Sequence, residues 1–193
     1  SGTVNMSGAK KIADALKNQN NKTPIAFVGS HVSALPYEVL SDEKSVDIIL
    51  ANEGVYALRN LLKIDLKNKN ELKEINGIGF MLDGKPFLTS PEKVVPQERM
   101  DIDLPGYAWD LLPYKDKPLD LYRAHFWHAE YDHNKRSPFA AIYTSLGCTF
   151  KCEFCMINIL NRNDNDPIGN AQNYSNMRFW SPNFIIKEFD KLV

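Results

Sequence analysis

The sequence predicts an α/β fold that contains a partial doubly wound sheet. Two short apolar runs, residues 24–29 and 46–51, have the character of buried parallel strands. Segments with helical periodicity lie before, between and after them, at residues 8–18, 38–40 and 55–65. This alternation of helices and strands is typical of a parallel sheet with helices packed on its faces.

The loops that follow the two predicted strands are candidate binding segments. In doubly wound sheets, ligands bind at the carboxyl ends of the strands. The first strand is followed by residues 29–33 and the second by residues 52–54. We therefore expect any ligand of this domain to contact these two loops.

A hairpin and a proline-rich segment follow. Ile78, Phe80 and Leu82 alternate with other residues, and Asp83-Gly84 is a strong turn signal, so the chain is expected to return along residues 86–88. Six of the eleven prolines then fall between residues 86 and 118, which indicates an extended linker. The predicted organisation is an α/β domain with its hairpin at 1–90, a linker at 91–137 and a final part at 138–193. Within the final part, Ser181-Pro182 predicts the start of an amphipathic helix, with serine as its N-cap and proline at its first position.

Composition restricts the class of protein. Hydrophobic residues make up 44% and charged residues 24% of the 193 positions, as in ordinary globular proteins. The net charge of −1 gives no basic footprint, so no nucleic-acid partner is expected. No apolar run reaches the roughly 20 residues of a membrane span, and the first residues do not form a signal peptide. We expect a cytoplasmic protein.

All three cysteines lie close together near the end of the chain. Cys148, Cys152 and Cys155 form the pattern CxxxCxxC, directly after a predicted buried strand at 138–143. A disulfide framework needs pairs of cysteines and an oxidising compartment, and neither is indicated here. Three thiols at this spacing favour an iron–sulfur cluster.

Two other interpretations of the cysteines stay open. A structural zinc site needs four ligands, so it would require a histidine from elsewhere, such as His125 or His128. Three unrelated buried thiols would explain the residues without a metal, but the charged Lys151 and Glu153 lie between them.

The cysteine segment resembles the radical S-adenosylmethionine superfamily. That family carries the signature CxxxCxΦC with an aromatic residue at Φ, and Phe154 stands at this place. The resemblance implies that the three cysteines bind a 4Fe-4S cluster whose open iron chelates S-adenosylmethionine, with Phe154 against the adenine. It further implies formation of a 5′-deoxyadenosyl radical, an electron donor such as flavodoxin or ferredoxin, and a small-molecule substrate of unknown identity.

The same resemblance makes residues 138–193 the beginning of a (β/α) barrel. The glycine-rich strand that holds the methionine amine in that family is not found in this sequence. The chain is therefore expected to be an internal fragment of a longer enzyme.

The amino-terminal part resembles the cobalamin-binding domain of many radical enzymes. That family shows a GGxHxxxxP turn and a GEGE-like turn, which match Gly29-Ser30-His31 and Glu53-Gly54 here. The resemblance implies that these five residues bind cobalamin and that the parent enzyme transfers a methyl group. The second glycine is replaced by Ser30, and a DxHxxG motif is missing from the sequence.

Other interpretations remain for these residues and for the chain. His31 could be a capping or core histidine, and Glu53 could cap the helix that follows it. The chain could also be a non-catalytic iron–sulfur or zinc-binding module. A methylthiotransferase-like enzyme shares the cysteine triplet, although its amino-terminal domain usually carries three further cysteines, which this sequence lacks.

Overall fold

The chain forms two compact units in the structure, which is a computed structural model describing residues 5–112, 140–150, 152, 155, 157 and 177–192. The first unit contains residues 1–96 and 147–178, and the second contains residues 97–146 and 179–193. Across the described ranges, the helices are too short or too polar to cross a bilayer.

In residues 5–96, the first unit has a four-stranded sheet and five helices. Its strands, in the order β1-β2-β3-β4, are β1 (Ala26–Val28), β2 (Ile48–Leu50), β3 (Ile78–Leu82) and β4 (Lys85–Leu88). Its helices are α1 (Met6–Gln19), α2 (Ser30–Ala34), α3 (Pro36–Asp42), α4 (Val55–Leu61) and α5 (Lys69–Lys73).

The direction of the strands confirms only part of the predicted sheet. Strand β1 runs parallel to β2, as expected, and β3 and β4 form the expected antiparallel hairpin. Strand β3 is antiparallel to β2, with Ile49 opposite Gly79, so the sheet is mixed. The fold class is therefore α/β, and the described residues do not show a (β/α) barrel.

Apolar side chains cover both faces of the sheet. Successive residues of a strand point to opposite faces, and accordingly Ile48 and Leu50 join one cluster while Ile49 joins the other. The first cluster includes residues of α4, α5 and β3, and the second includes residues of α2 and α3. Helices therefore pack on both faces, which is the feature of a doubly wound sheet that the sequence predicted correctly.

Strand β1 differs from its prediction as a buried strand. Ala26 is exposed and the side chain of Val28 is 44% exposed. Within the described residues, β1 pairs only with β2 and forms an edge of the sheet. An apolar run predicts a strand, but it does not tell on how many sides that strand is covered.

The second unit consists of short elements. They are α6 (Met100–Asp103), β5 (Ser145–Leu146), β6 (Arg178–Phe179), α7 (Pro182–Asp190) and two 3₁₀ turns at Gln97–Arg99 and Trp109–Leu111. Strand β6 begins at Arg178, which is the last residue of the first unit. The hydroxyl of Ser181 accepts the Phe184 N–H at 3.1 Å, which confirms the predicted cap of the last helix.

The predicted strand before the cysteines is displaced along the chain. Residues 140–143 are not in a strand, and residues 138 and 139 lie outside the described part. The short strand β5 begins at Ser145, and the Trp180 N–H donates to the Thr144 carbonyl at 3.2 Å beside it. A strand therefore does precede the cysteines, but it begins seven residues later than predicted.

Candidate functional site

The cysteine segment begins at a sharp turn after β5. Strand β5 ends at Leu146, and Gly147 follows with a φ of +86°. A left-handed backbone at this value suits glycine because it has no Cβ. Cys148 thus comes directly after the turn that ends the strand.

The three thiols are free and only partly covered. Cys148 and Cys155 are half-buried, and Cys152 is exposed. The Phe150 N–H points at the Cys148 sulfur at 3.5 Å, and the Cys155 N–H donates to the Cys152 carbonyl at 3.0 Å. A backbone N–H therefore lies within hydrogen-bonding distance of one of the three candidate metal-binding sulfurs.

The described residues include all three cysteines. Among these residues, no three histidine, cysteine, aspartate or glutamate side chains are arranged as a metal site. The donor chemistry itself fits an iron–sulfur cluster, since cysteine thiolates are the usual protein ligands of such clusters and all three cysteines are free. Phe154 and the alternative zinc ligands His125 and His128 lie outside the described part of the chain.

The loops after β1 and β2 lie side by side. The Asn52 N–H donates to the Ser33 hydroxyl at 3.1 Å, and both residues are buried. Gly54 has a φ of +74°, and a Cβ there would lie 3.1 Å from Val28 Cγ2 and 3.3 Å from Leu50 Cβ. Gly54 therefore fits tightly against the carboxyl ends of both strands, and the two predicted binding loops share one edge of the sheet.

The first loop continues directly into helix α2. Gly29 has a φ of +125° and precedes the helix, and its carbonyl accepts the Ser33 N–H at 3.1 Å. Ser30 and His31 are the first two residues of α2 and are half-buried. Glycine is thus required at position 29 by the backbone, whether or not a ligand binds there.

Glu53 forms a buried ion pair with Arg178. Its Oε1 lies 2.9 Å from Arg178 Nη2 and its Oε2 lies 3.3 Å from Nη1. The Val95 N–H donates to Oε2 at 2.7 Å, and Arg178 Nη1 donates to the Val95 carbonyl. Arg178 is only 3% exposed. The interpretation of Glu53 as a cap is wrong, because Gly54 is the N-cap of α4 and no side chain caps it.

This ion pair connects two parts of the candidate site within the first unit. Glu53 follows β2 at the carboxyl edge of the sheet, and Arg178 follows the cysteine segment. The sequence contained one signal for it, which was a charged Arg178 between Met177 and Phe179-Trp180. A charged residue in an apolar run is buried only when it is paired, but the sequence does not identify the partner, which is 125 residues away.

Comparison with known proteins gives two curated relatives, and no protein-family model matches the chain. An uncharacterised methyltransferase of Pyrococcus horikoshii is 29% identical over 153 residues, which cover 79% of this chain and 29% of that protein. The anaerobic magnesium-protoporphyrin IX monomethyl ester cyclase of Synechocystis is 24% identical over 119 residues, covering 62% of this chain and 20% of that protein. The chain therefore spans less than a third of the length of either relative.

Proposed function

We propose that this chain is the cluster-binding part of a radical S-adenosylmethionine enzyme that transfers a methyl group. The observation that carries the proposal is the CxxxCxxC triplet of free thiols directly after a strand and a glycine turn. The names of the two relatives support it, since one is a methyltransferase and the other is an anaerobic cyclase.

Cys148, Cys152 and Cys155 would hold a 4Fe-4S cluster. When bound, the cluster would supply the electron that cleaves S-adenosylmethionine. The sequence contains no fourth cysteine, so one iron would keep an open position for that cofactor. The Phe150 N–H would donate to the Cys148 sulfur, and hydrogen bonds to the sulfurs tune the potential of such clusters. The exposed Cys152 keeps the segment accessible to an electron donor such as flavodoxin or ferredoxin.

Cobalamin is the second proposed cofactor. Gly29, Ser30, His31 and Gly54 lie in the two adjacent loops at the carboxyl edge of the parallel strands, where sheets of this kind bind ligands. Because the Glu53 carboxylate is paired with Arg178, Glu53 would position the loop instead of contacting the cofactor. If the proposal is right, Ser30→Tyr weakens hydroxocobalamin binding in an absorbance titration. Ser7→Tyr, on the exposed part of α1, leaves binding unchanged.

The test of the cluster is anaerobic reconstitution of the 193-residue chain. Iron and acid-labile sulfide are quantified per chain, and the reduced protein is examined by electron paramagnetic resonance. We expect about four irons per chain and a signal that changes when S-adenosylmethionine is added. Each single Cys→Ala variant should lose the cluster, whereas Thr149→Ala in the same segment should keep it.

Two outcomes would contradict this proposal. One is recovery of zinc alone after anaerobic preparation, which would support the zinc-binding interpretation. The other is an unchanged ratio of iron and sulfide in the variant in which all three cysteines are alanine.

A further inference from the structure

A cavity of about 780 Å³ opens at the other end of the parallel strands. It is lined by Pro24, just before β1, and by Val46, Asp47 and Ile48, which lead into β2. The candidate binding loops follow the carboxyl ends of these strands, so the cavity is separate from the site described above. Its volume falls within the range of small-molecule sites, about 300–1,000 Å³.

The floor of the cavity is apolar and firmly built. Val46, Ile48 and Leu72 line it, and each is at most 5% exposed in the structure. Ile48 and Leu72 belong to one core cluster of the sheet and Val46 to the other. The floor is therefore the edge of the hydrophobic core and is suited to an apolar group.

The rim of the cavity is positively charged. Its described lining contains Lys17, Lys22, Lys44, Lys67 and Lys69 but only two carboxylates, Asp47 and Asp65. This leaves three more positive than negative groups around the apolar floor.

Asp47 is already occupied by groups of the protein. Its Oδ2 accepts Lys17 Nζ at 2.6 Å and the Ile25 N–H at 2.7 Å. Asp65 accepts the Lys67 N–H at 3.0 Å. Lys17 Nζ is held in the same pair and also donates to the Thr23 carbonyl at 2.9 Å, and Lys44 Nζ donates to the Ser41 carbonyl. The lysines that a ligand would meet first are therefore Lys22 and Lys67. Lys22 and Lys67 are exposed, so a ligand can reach them from solvent.

We propose that this cavity binds a small organic anion with an apolar body. The core edge would cover the body, and the lysines of the rim would bind a carboxylate, sulfonate or phosphate group. The proposal rests on the first unit alone and does not depend on the cysteines.

The experiment uses two probes that differ in charge. We expect 8-anilinonaphthalene-1-sulfonate to bind the 193-residue chain saturably with one site per chain, measured by fluorescence. Its uncharged parent, N-phenyl-1-naphthylamine, should bind at least about threefold more weakly, because it lacks the ion pairs with the rim. Raising the salt concentration from about 50 to about 300 mM should weaken binding of the sulfonate only.

Variants locate the binding site. The double variant Lys22→Gln/Lys67→Gln should weaken sulfonate binding about three- to tenfold, since each exposed ion pair contributes modestly. Lys11→Gln, on the exposed part of α1 and outside the cavity, should leave the affinity unchanged. Replacing all three cysteines by alanine should not alter binding either, which separates this inference from the proposed cluster.

Equal affinity for the charged and uncharged probes would overturn the proposal, as would an unchanged affinity in the double variant. Circular dichroism of each variant confirms that the fold is kept.

Discussion

Glu188 is a charged residue in the interior of the second unit, where it is only 2% exposed. Its Oε2 accepts the Tyr107 N–H and the Trp109 indole N–H, each at 3.2 Å, and Lys191 donates to Oε1. Burial raises the pKa of the Glu188 carboxyl, but the hydrogen bonds from Lys191, Tyr107 and Trp109 lower it more. The net pKa therefore lies below the ordinary value.

The lowered pKa of Glu188 predicts a loss of stability in acid. A carboxylate with a lowered pKa stabilises the folded state above its unfolded pKa of about 4.3, and this contribution is lost as the pH falls through the folded pKa. Glu188→Gln should lower the free energy of unfolding by about 1–3 kcal/mol at pH 7. The difference between wild type and variant should shrink below about pH 4.

The measurement is urea unfolding followed by tryptophan fluorescence, because Trp109 and Trp180 belong to the second unit. Glu98→Gln, at an exposed position of the same unit, serves as the control and should change the free energy of unfolding by under about 0.5 kcal/mol. A Glu188→Gln effect that stays constant from pH 7 to pH 3 would be inconsistent with this account.

Gly106 packs directly against Glu188. It has a φ of +91°, and a Cβ at this position would lie 2.5 Å from Glu188 Oε1. Gly106→Ala should therefore destabilise the second unit for two reasons. It introduces backbone strain of about 1–2 kcal/mol, and its Cβ displaces the Glu188 carboxylate. Gly84→Ala is a matched control, since Gly84 has a φ of +78° and no atom within 4 Å of the added Cβ.

The two glycine variants separate the cost of backbone strain from the cost of displacing the Glu188 carboxylate. Gly84→Ala should show only the strain, measured for the first unit by circular dichroism. Gly106→Ala should show a clearly larger loss by tryptophan fluorescence. Equal losses would mean that the Glu188 side chain moves aside at no cost.

At the scale of elements, the Glu53–Arg178 pair holds the segment after the cysteines to the end of β2. Arg178→Met leaves the Glu53 carboxylate, whose side chain is 13% exposed, without its charged partner. Breaking a buried pair by removing one partner costs on the order of 3 kcal/mol. We expect a loss of this size in urea unfolding of the first unit, followed by circular dichroism.

An additional substitution at Glu53 tests the origin of that loss. Glu53→Met/Arg178→Met should recover much of the stability, since replacing both charges by apolar groups is often nearly neutral. Lys10→Met at the more exposed Lys10–Glu43 pair should cost much less than Arg178→Met, because exposed ion pairs contribute little to stability. If Arg178→Met is as mild as Lys10→Met, the pair does not hold this segment in place.

Local signals predicted the elements that depend on local chemistry. The alternating residues around Asp83-Gly84 predicted the β3–β4 hairpin, and Ser181-Pro182 predicted the start of α7. The direction of β3 was not predictable, because an apolar strand pattern is the same in a parallel and in an antiparallel neighbour. The exposure of β1 depends on its place at the edge of the described sheet, which the run at 24–29 does not encode.

The candidate site was predictable to a similar extent. The cysteine spacing and the loops at Gly29 and Gly54 were found from sequence, because their features lie within a few residues of one another. The role of Glu53 was not found. Its partner lies far along the chain, and only the folded structure brings the two charges together.

At the scale of the whole molecule, the first unit is assembled from two distant stretches of chain. Residues 1–96 form the sheet and its helices, and residues 147–178 contain the cysteines and end at Arg178. The second unit is also built from two stretches, of which the later one supplies α7 and Glu188. Each unit therefore includes a stretch from the carboxyl-terminal part of the chain.

The distance of 125 residues between Glu53 and Arg178 has a kinetic consequence. Closing a flexible loop of that length costs roughly 4 kcal/mol of chain entropy, so the pair should form after the transition state for folding of the sheet. Interactions formed that late slow unfolding and leave the folding rate unchanged. In stopped-flow experiments, Arg178→Met should raise the unfolding rate and leave the refolding rate as in the wild type. The slopes of both limbs of the chevron should stay unchanged. If Arg178→Met instead slowed refolding, the contact would already be formed in the transition state. If refolding keeps the wild-type rate, the Glu53–Arg178 pair forms last and determines how long the stretch that ends at Arg178 stays attached to the end of β2.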